Sequence, residues 1–178
     1  MGVGNVSISD ECINFIRTII PDGSTILELG SGNGTVRLSK YFKLYSVENQ
    51  TEWMNAFPNN TTYINCKTKY YDNEFTAPDV VGKQTAWYDP EDLLPNLPKN
   101  YDMILIDGPG GHWGRGGFLK YIEHFNTNVP IIFDDANRAA EIDLMIKVSE
   151  QIDRPYNILN IDKSVGYILW KQNLQSAV

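Results

Sequence analysis

Basic residues, cysteines and long apolar runs are all in short supply in this sequence, and each shortage narrows what it can do. Lysine and arginine number 15 against 22 aspartates and glutamates, for a formal net charge of −7. No cluster of cations stands out, so a nucleic-acid partner is not expected. Cysteine is confined to Cys12 and Cys66, both in apolar surroundings and far apart, which favours reduced core thiols over a disulfide or a thiolate metal site. No apolar run is long enough to span a bilayer, and the opening MGVGNVSISD lacks the basic start and apolar centre of a secretion signal. The expected compartment is the cytoplasm, with no membrane partner. What remains is 178 residues, 42% hydrophobic and 21% charged, enough to bury a core within one domain over 1–178.

The organising stretch is Thr25 to Thr35, TILELGSGNGT. Ile26, Leu27 and Leu29 suit a buried strand, and Gly30, Gly32 and Gly34 remove Cβ atoms where the chain turns towards a helix, so that a ligand can approach the backbone. That helix begins near Thr35, carries Val36, Leu38 and Tyr41 or Phe42 inward, and lays its positive end over the loop. A nucleotide or cofactor site results. Ahead of it, Ser9 and Asp10 cap a packing helix over 11–20, which Pro21 ends.

Further along, a short strand from Leu44 to Val47 ends on Glu48, where an acidic side chain can accept both hydroxyls of a ribose or can be an ordinary surface glutamate. Residues 50–57 read as a helix, Thr61 to Cys66 as a third strand, and Lys67 to Gln84 as a long loop. In AWYDPEDL, Asp89, Pro90 and Asp92 form a helix start with the pattern of a capping box. Trp87 and Tyr88 before it either line a base-binding pocket or staple into the core. DMILID, 102–107, and VPIIFDD, 129–135, are further buried strands, the first followed by the glycine-rich GPGGHWGRGG and a helix over 118–125, the second by a helix over 136–152. Tyr156 to Ile161 and Val165 to Trp170 form a terminal hairpin. The fold class is α/β, a Rossmann-like, doubly wound, mostly parallel sheet with ligands beyond the carboxyl ends of its strands.

A dinucleotide fingerprint spaces its glycines as GxGxxG, whereas this chain places Glu28 before Gly30, Gly32 and Gly34. Glu28-Leu29-Gly30-Ser31-Gly32-Asn33-Gly34 resembles the first motif of class I S-adenosylmethionine-dependent methyltransferases, and Glu48 matches that family's acidic residue for the cofactor ribose. The resemblance spans nearly the whole chain. It implies a seven-stranded sheet of order 3-2-1-4-5-7-6 with the last strand antiparallel, and S-adenosylmethionine held by Glu28, by Gly30 to Gly34, with Ser31 and Asn33 acting through their backbones, by Glu48, and on one reading by Trp87 and Tyr88.

Within that family, IDG at the end of the fourth strand and DDAN at the end of the fifth resemble metal-dependent O-methyltransferases of the catechol and macrolide-sugar kinds. The resemblance implies Asp107, Asp134 and Asp135 as ligands to Mg²⁺ or Mn²⁺, with Asn137 nearby. Hard carboxylate oxygens suit such a cation, which would lower the pKa of an acceptor hydroxyl. The alternative is that Asp135 caps the following helix and Asp107 only opens a turn. DGP, glycine and arginine, with DDANR and WYD, also resemble bacterial and viral superfamily members, some linked to glycans. His112 is either a general base, alongside Asp107, or an exposed loop residue, His124 is structural, and Arg115 or Arg138 could grip a substrate carboxylate or phosphate. The expected activity is O-methylation of a small molecule or glycan sugar, with a second subunit as one source of acceptor specificity. A non-catalytic S-adenosylmethionine-binding module is the rival, and an NAD-dependent sugar enzyme a third reading.

Overall fold

The computed structural model describes residues 8–54, 60–71, 85–161 and 163–170. Helix α1 (Asp10–Ile19) starts where Ser9 accepts the Cys12 N–H, and it buries Cys12, Ile13 and Ile16. Strands β1 (Thr25–Leu29), β2 (Lys43–Glu48), β3 (Thr61–Asn65), β6 (Met103–Ile106), β7 (Ile131–Phe133), β8 (Tyr156–Leu159) and β9 (Val165–Ile168) form one sheet of order β3-β2-β1-β6-β7-β9-β8. Its central pairs are parallel, β1 lying between β2 and β6 with Ile26 opposite both Leu44 and Met103, while β9 runs antiparallel to β7 and to β8. This is the seven-stranded arrangement and strand order that the family resemblance implied.

Period-two alternation divides the core between the two faces of the sheet. Ile26, Leu44, Met103, Leu105 and Ile132 pack with α1 and with Leu38 of α2 (Asn33–Leu38). Leu27, Leu29, Ile104, Ile106 and Phe133 pack with Trp87, Tyr88 and Phe118 of α4 (Gly117–Lys120), and with Leu144, Met145 and Val148 of α5 (Ala139–Ile152). Both cysteines are buried and free, as expected. No helix among the described residues is long and apolar enough to cross a membrane.

Three expectations need correcting. Part of the long loop after β3 is strand: β4 (Thr68–Tyr71) pairs antiparallel with β5 (Thr85–Tyr88) in a separate two-stranded sheet, while residues 72–84 lie outside those described. Neither strand alternates in apolar character, since three residues of β4 are not buried and all four of β5 are, so period two gave no signal. Of the helix expected over 50–57, the described residues 51–54 form a turn, and 55–59 lie outside them. Asp89 does cap α3 (Pro90–Leu93), but Asp92 accepts the Lys67 N–H, which leaves the capping box unmade.

Candidate active site

The ends of β1, β2, β6 and β7 converge on one crevice. Its floor is a contact between two glycine turns. Gly30 has φ +97°, and a Cβ there would lie 2.7 Å from Cα of Gly108 in the turn after β6. A Cβ on Gly108 would in turn lie 2.6 Å from the Tyr88 hydroxyl. Gly34 presses on Ile8, whereas Gly32, with extended backbone, would meet no atom within 4 Å. Neither conformation nor protein packing therefore demands glycine at 32, and its missing side chain leaves the crevice wall open.

Glu28 lies beneath this turn, not on the crevice wall. It is 1% exposed and accepts the hydroxyls of Ser46 at 2.6 Å and Thr35 at 3.0 Å, while Thr35 Oγ1 accepts the Gly32 N–H at 2.9 Å. Its action on a ligand would thus pass through Thr35 and the turn. Burial pushes the Glu28 carboxyl from 4.5 up to about 7, against the Ser46 and Thr35 hydrogen bonds and with help from nearby Glu48. Since the folded value lies above the unfolded one, folding takes up a proton: Glu28's contribution is most favourable below about pH 4.5 and declines until about pH 7, by on the order of 3 kcal/mol. Urea denaturation at about pH 5 and about pH 7.5 is expected to show Glu28→Gln losing less stability over that interval than wild type. Parallel profiles would discount a buried, titrating Glu28.

Glu48 is 4% exposed and lies on the crevice wall. Its Oε2 accepts the Ser31 N–H at 2.8 Å, and Oε1 accepts those of Asn49 and Gln50 at 2.7 Å each. A carboxylate offers about four acceptor positions, so the backbone leaves room for about one further hydrogen bond, where the sequence alone allowed two. Asn49, Gln50 and Trp53 join the same wall, a contribution missed by the sequence reading. An aromatic soon after an acidic strand end was the available signal for Trp53.

Trp87 and Tyr88 part company. Trp87 is fully buried below Gly117, where a Cβ would collide with the indole, and it makes no part of the crevice wall. It belongs to the core. Tyr88 packs edge-on against Trp87, donates to the Val47 carbonyl at 3.3 Å and reaches the crevice floor.

Across the crevice, Asp107, Asp134 and Asp135 bring carboxylate oxygens within 4.8 Å of one another. Asp135 takes a left-handed backbone, φ 58°, that turns the chain out of the sheet. It does not cap α5, which begins at Ala139 behind Arg138 with no side-chain cap. Both Asp134 oxygens are buried without a hydrogen-bond donor. Burial raises the Asp107 carboxyl well above the usual carboxylate range, and the Asp134 charge adds to this while Arg115 opposes it. Asn137 is exposed.

Arg115 borders the crevice but turns its guanidinium to the protein's own carboxylates. It is 3% exposed, and its Nη2 lies 3.3 Å from Asp107 Oδ1 and 3.2 Å from Asp135 Oδ2. Burial alone would lower its pKa, but Glu141, Asp107, Asp135 and Asp134 together raise it, so it stays charged. Buried Glu141, on α5, escaped the sequence reading, although a signal was there: it shares the helix face of Leu144, Met145 and Val148. Arg138 remains on the crevice wall with a 43% exposed side chain, 3.0 Å from Asp135 Oδ2. His112 is exposed, packs tilted against Trp113 at 4.5 Å and lies beside Gly110 without itself lining the crevice. His124 is peripheral and 45% exposed.

No model of a known protein family matches the chain, and no curated protein matches it in sequence. Solved structures do match in fold. A protein from Staphylococcus aureus described as a caffeoyl-CoA O-methyltransferase aligns at 16% identity and TM-score 0.57, over 92% of this chain and 85% of that one. Fibrillarin from Aeropyrum pernix, with natively bound S-adenosyl-L-methionine, aligns at 14% identity and TM-score 0.56, over 92% and 74%. The MycE methyltransferase of mycinamycin biosynthesis, in complex with Mg, SAH and mycinamycin VI, aligns at 14% identity and TM-score 0.50, over 93% of this chain and 46% of that one. At such identities the likeness speaks for architecture, and with the strand order it is decisive there: the chain has the fold of the class I S-adenosylmethionine-dependent methyltransferases.

Proposed function

We propose that the protein is an S-adenosylmethionine-dependent O-methyltransferase acting on a hydroxyl of a small molecule or glycan sugar. The observation that carries this reading is the crevice itself, which sets a ligand-accessible glycine turn and Glu48 opposite Asp107 and Asp135, with the carboxylate of Asp134 buried beside them. The turn and Glu48 hold the methyl donor, and Tyr88 walls its floor. The acceptor enters beside Asp107, whose carboxylate on the crevice wall is placed to take the hydroxyl proton as the methyl group is transferred. Exposed His112 plays no part in that step, and Arg138 supplies a cation to the acceptor side.

The acidic cluster also fits a divalent cation. Its hard oxygens suit Mg²⁺ or Mn²⁺, and Asp134 presents two buried oxygens that no protein donor satisfies. Asp107, Asp134 and Asp135 would hold the ion. When bound, it would lower the pKa of an acceptor hydroxyl.

Titration calorimetry with S-adenosylmethionine, S-adenosylhomocysteine and NAD is expected to give heat with the first two only. Silence with both removes the methyltransferase reading, and binding without turnover on a polyol and glycan panel favours a non-catalytic module. EDTA is expected to abolish turnover, with Mg²⁺ or Mn²⁺ restoring it. Turnover indifferent to chelation would discard the cation and leave Asp107 as a metal-free base.

A further inference from the structure

Burying an arginine among carboxylates is expensive, because each charge gives up its hydration, and the arrangement persists only where geometry and hydrogen bonds compensate. Arg115 has both. From the loop after β6 its Nη1 donates to the carbonyls of Asp134 at 3.1 Å and Ile106 at 3.4 Å, which ties the guanidinium across the ends of β6 and β7. Its Nη2 faces one oxygen of Asp107 and one of Asp135, and Nε lies 3.6 Å from Glu141 Oε1. Glu141, in the first turn of α5, is itself 1% exposed.

The charges explain why Glu141 is needed. Asp107 and Asp135 lie on the crevice wall with Asp134 buried beside them, and three cations approach the cluster: Arg115, Arg138 at 3.0 Å and Lys163 at 4.0 Å, the last two against Asp135. Arg115 set against these carboxylates would by itself weaken their attraction for a further cation. Glu141, 3.6 Å from its Nε, counters that charge and leaves the guanidinium its geometric role.

Resting on the cation reading above, we infer that Arg115 and Glu141 are a positioning pair for the divalent site: Arg115 fixes one oxygen each of Asp107 and Asp135, and Glu141 offsets its charge, so that the other oxygens and Asp134 can take the ion. A lysine at 115 would keep the charge but lose the fork that spans two carboxylates and two carbonyls.

The test measures Mn²⁺ binding to the full chain by electron paramagnetic resonance, with S-adenosylhomocysteine affinity by calorimetry and thermal midpoint measured in parallel. Glu141→Gln and Arg115→Lys are each expected to weaken Mn²⁺ binding about tenfold or more, the usual consequence of losing a group that orients metal ligands, while S-adenosylhomocysteine still binds. Unchanged Mn²⁺ affinity in both variants overturns the inference alone, as does a joint loss of Mn²⁺ and S-adenosylhomocysteine binding, which would mark a merely structural pair. Absence of Mn²⁺ binding to wild type overturns the cation reading and the inference with it. Should either variant not fold, the wild-type Arg115 Nε–H resonance decides: a shift that follows Mg²⁺ saturation supports the pair, and a resonance blind to Mg²⁺ overturns it.

Discussion

Gly30→Ala is expected to eliminate S-adenosylhomocysteine binding and to lower the thermal midpoint by about 5–15 °C. Two penalties combine. The new Cβ would be forced within 2.7 Å of the Gly108 backbone, which cannot yield as a side-chain tip can, and a side chain would have to adopt φ +97°. Overpacking costs about 1–3 kcal/mol and a disfavoured backbone conformation about 1–3 kcal/mol, and at this chain length each kcal/mol moves the midpoint by about 2–4 °C. Gly32→Ala is the control, since its Cβ meets no protein atom. That variant is expected to keep its midpoint within about 2 °C while binding S-adenosylhomocysteine about tenfold more weakly, a difference of ~1.4 kcal/mol. A Gly30→Ala protein that melts and binds like wild type would remove the turn-to-turn contact from the account of the site.

Asp107→Asn is expected to cut methyl transfer by about 10²–10⁴, the range for loss of a positioned general base, with S-adenosylhomocysteine binding retained. The amide keeps the shape and can still accept from Arg115, but it cannot take a proton and is a poor cation ligand. His112→Ala, by contrast, is expected to leave turnover within about threefold, because the imidazole stands outside the crevice. The comparison is made by following radiolabelled methyl transfer to whichever acceptor the panel yields. Turnover of Asp107→Asn within about tenfold of wild type would move the proton transfer elsewhere, and a crippled His112→Ala would return it to the loop.

Much of this architecture could be read from local pattern. Ile26 to Leu29, broken only by Glu28, and the apolar runs Met103 to Ile106 and Ile131 to Phe133 read as buried strands because they are short and flanked by glycine, proline or aspartate turn signals. Acidic residues just beyond such runs fall at the mouth of a parallel sheet, which is why Glu48, Asp107 and Asp135 could be singled out and why all three lie on the crevice. Where the pattern is silent, as at β4, the sequence reads as loop and only pairing with β5 makes it a strand.

The amino-acid order by itself determined the strands, the glycine turn and the set of carboxylates, since each depends on neighbours within a few residues. Tertiary structure alone decided which of those groups are free to act. It sank Trp87 into the core, left His112 outside the crevice, spent most of Glu48's acceptor capacity on its own backbone, and drew Arg115 from the surface into contact with Asp135, 20 positions away, and with Glu141 on α5. Burial and charge compensation act through space, between segments whose separation along the chain carries no record of their meeting.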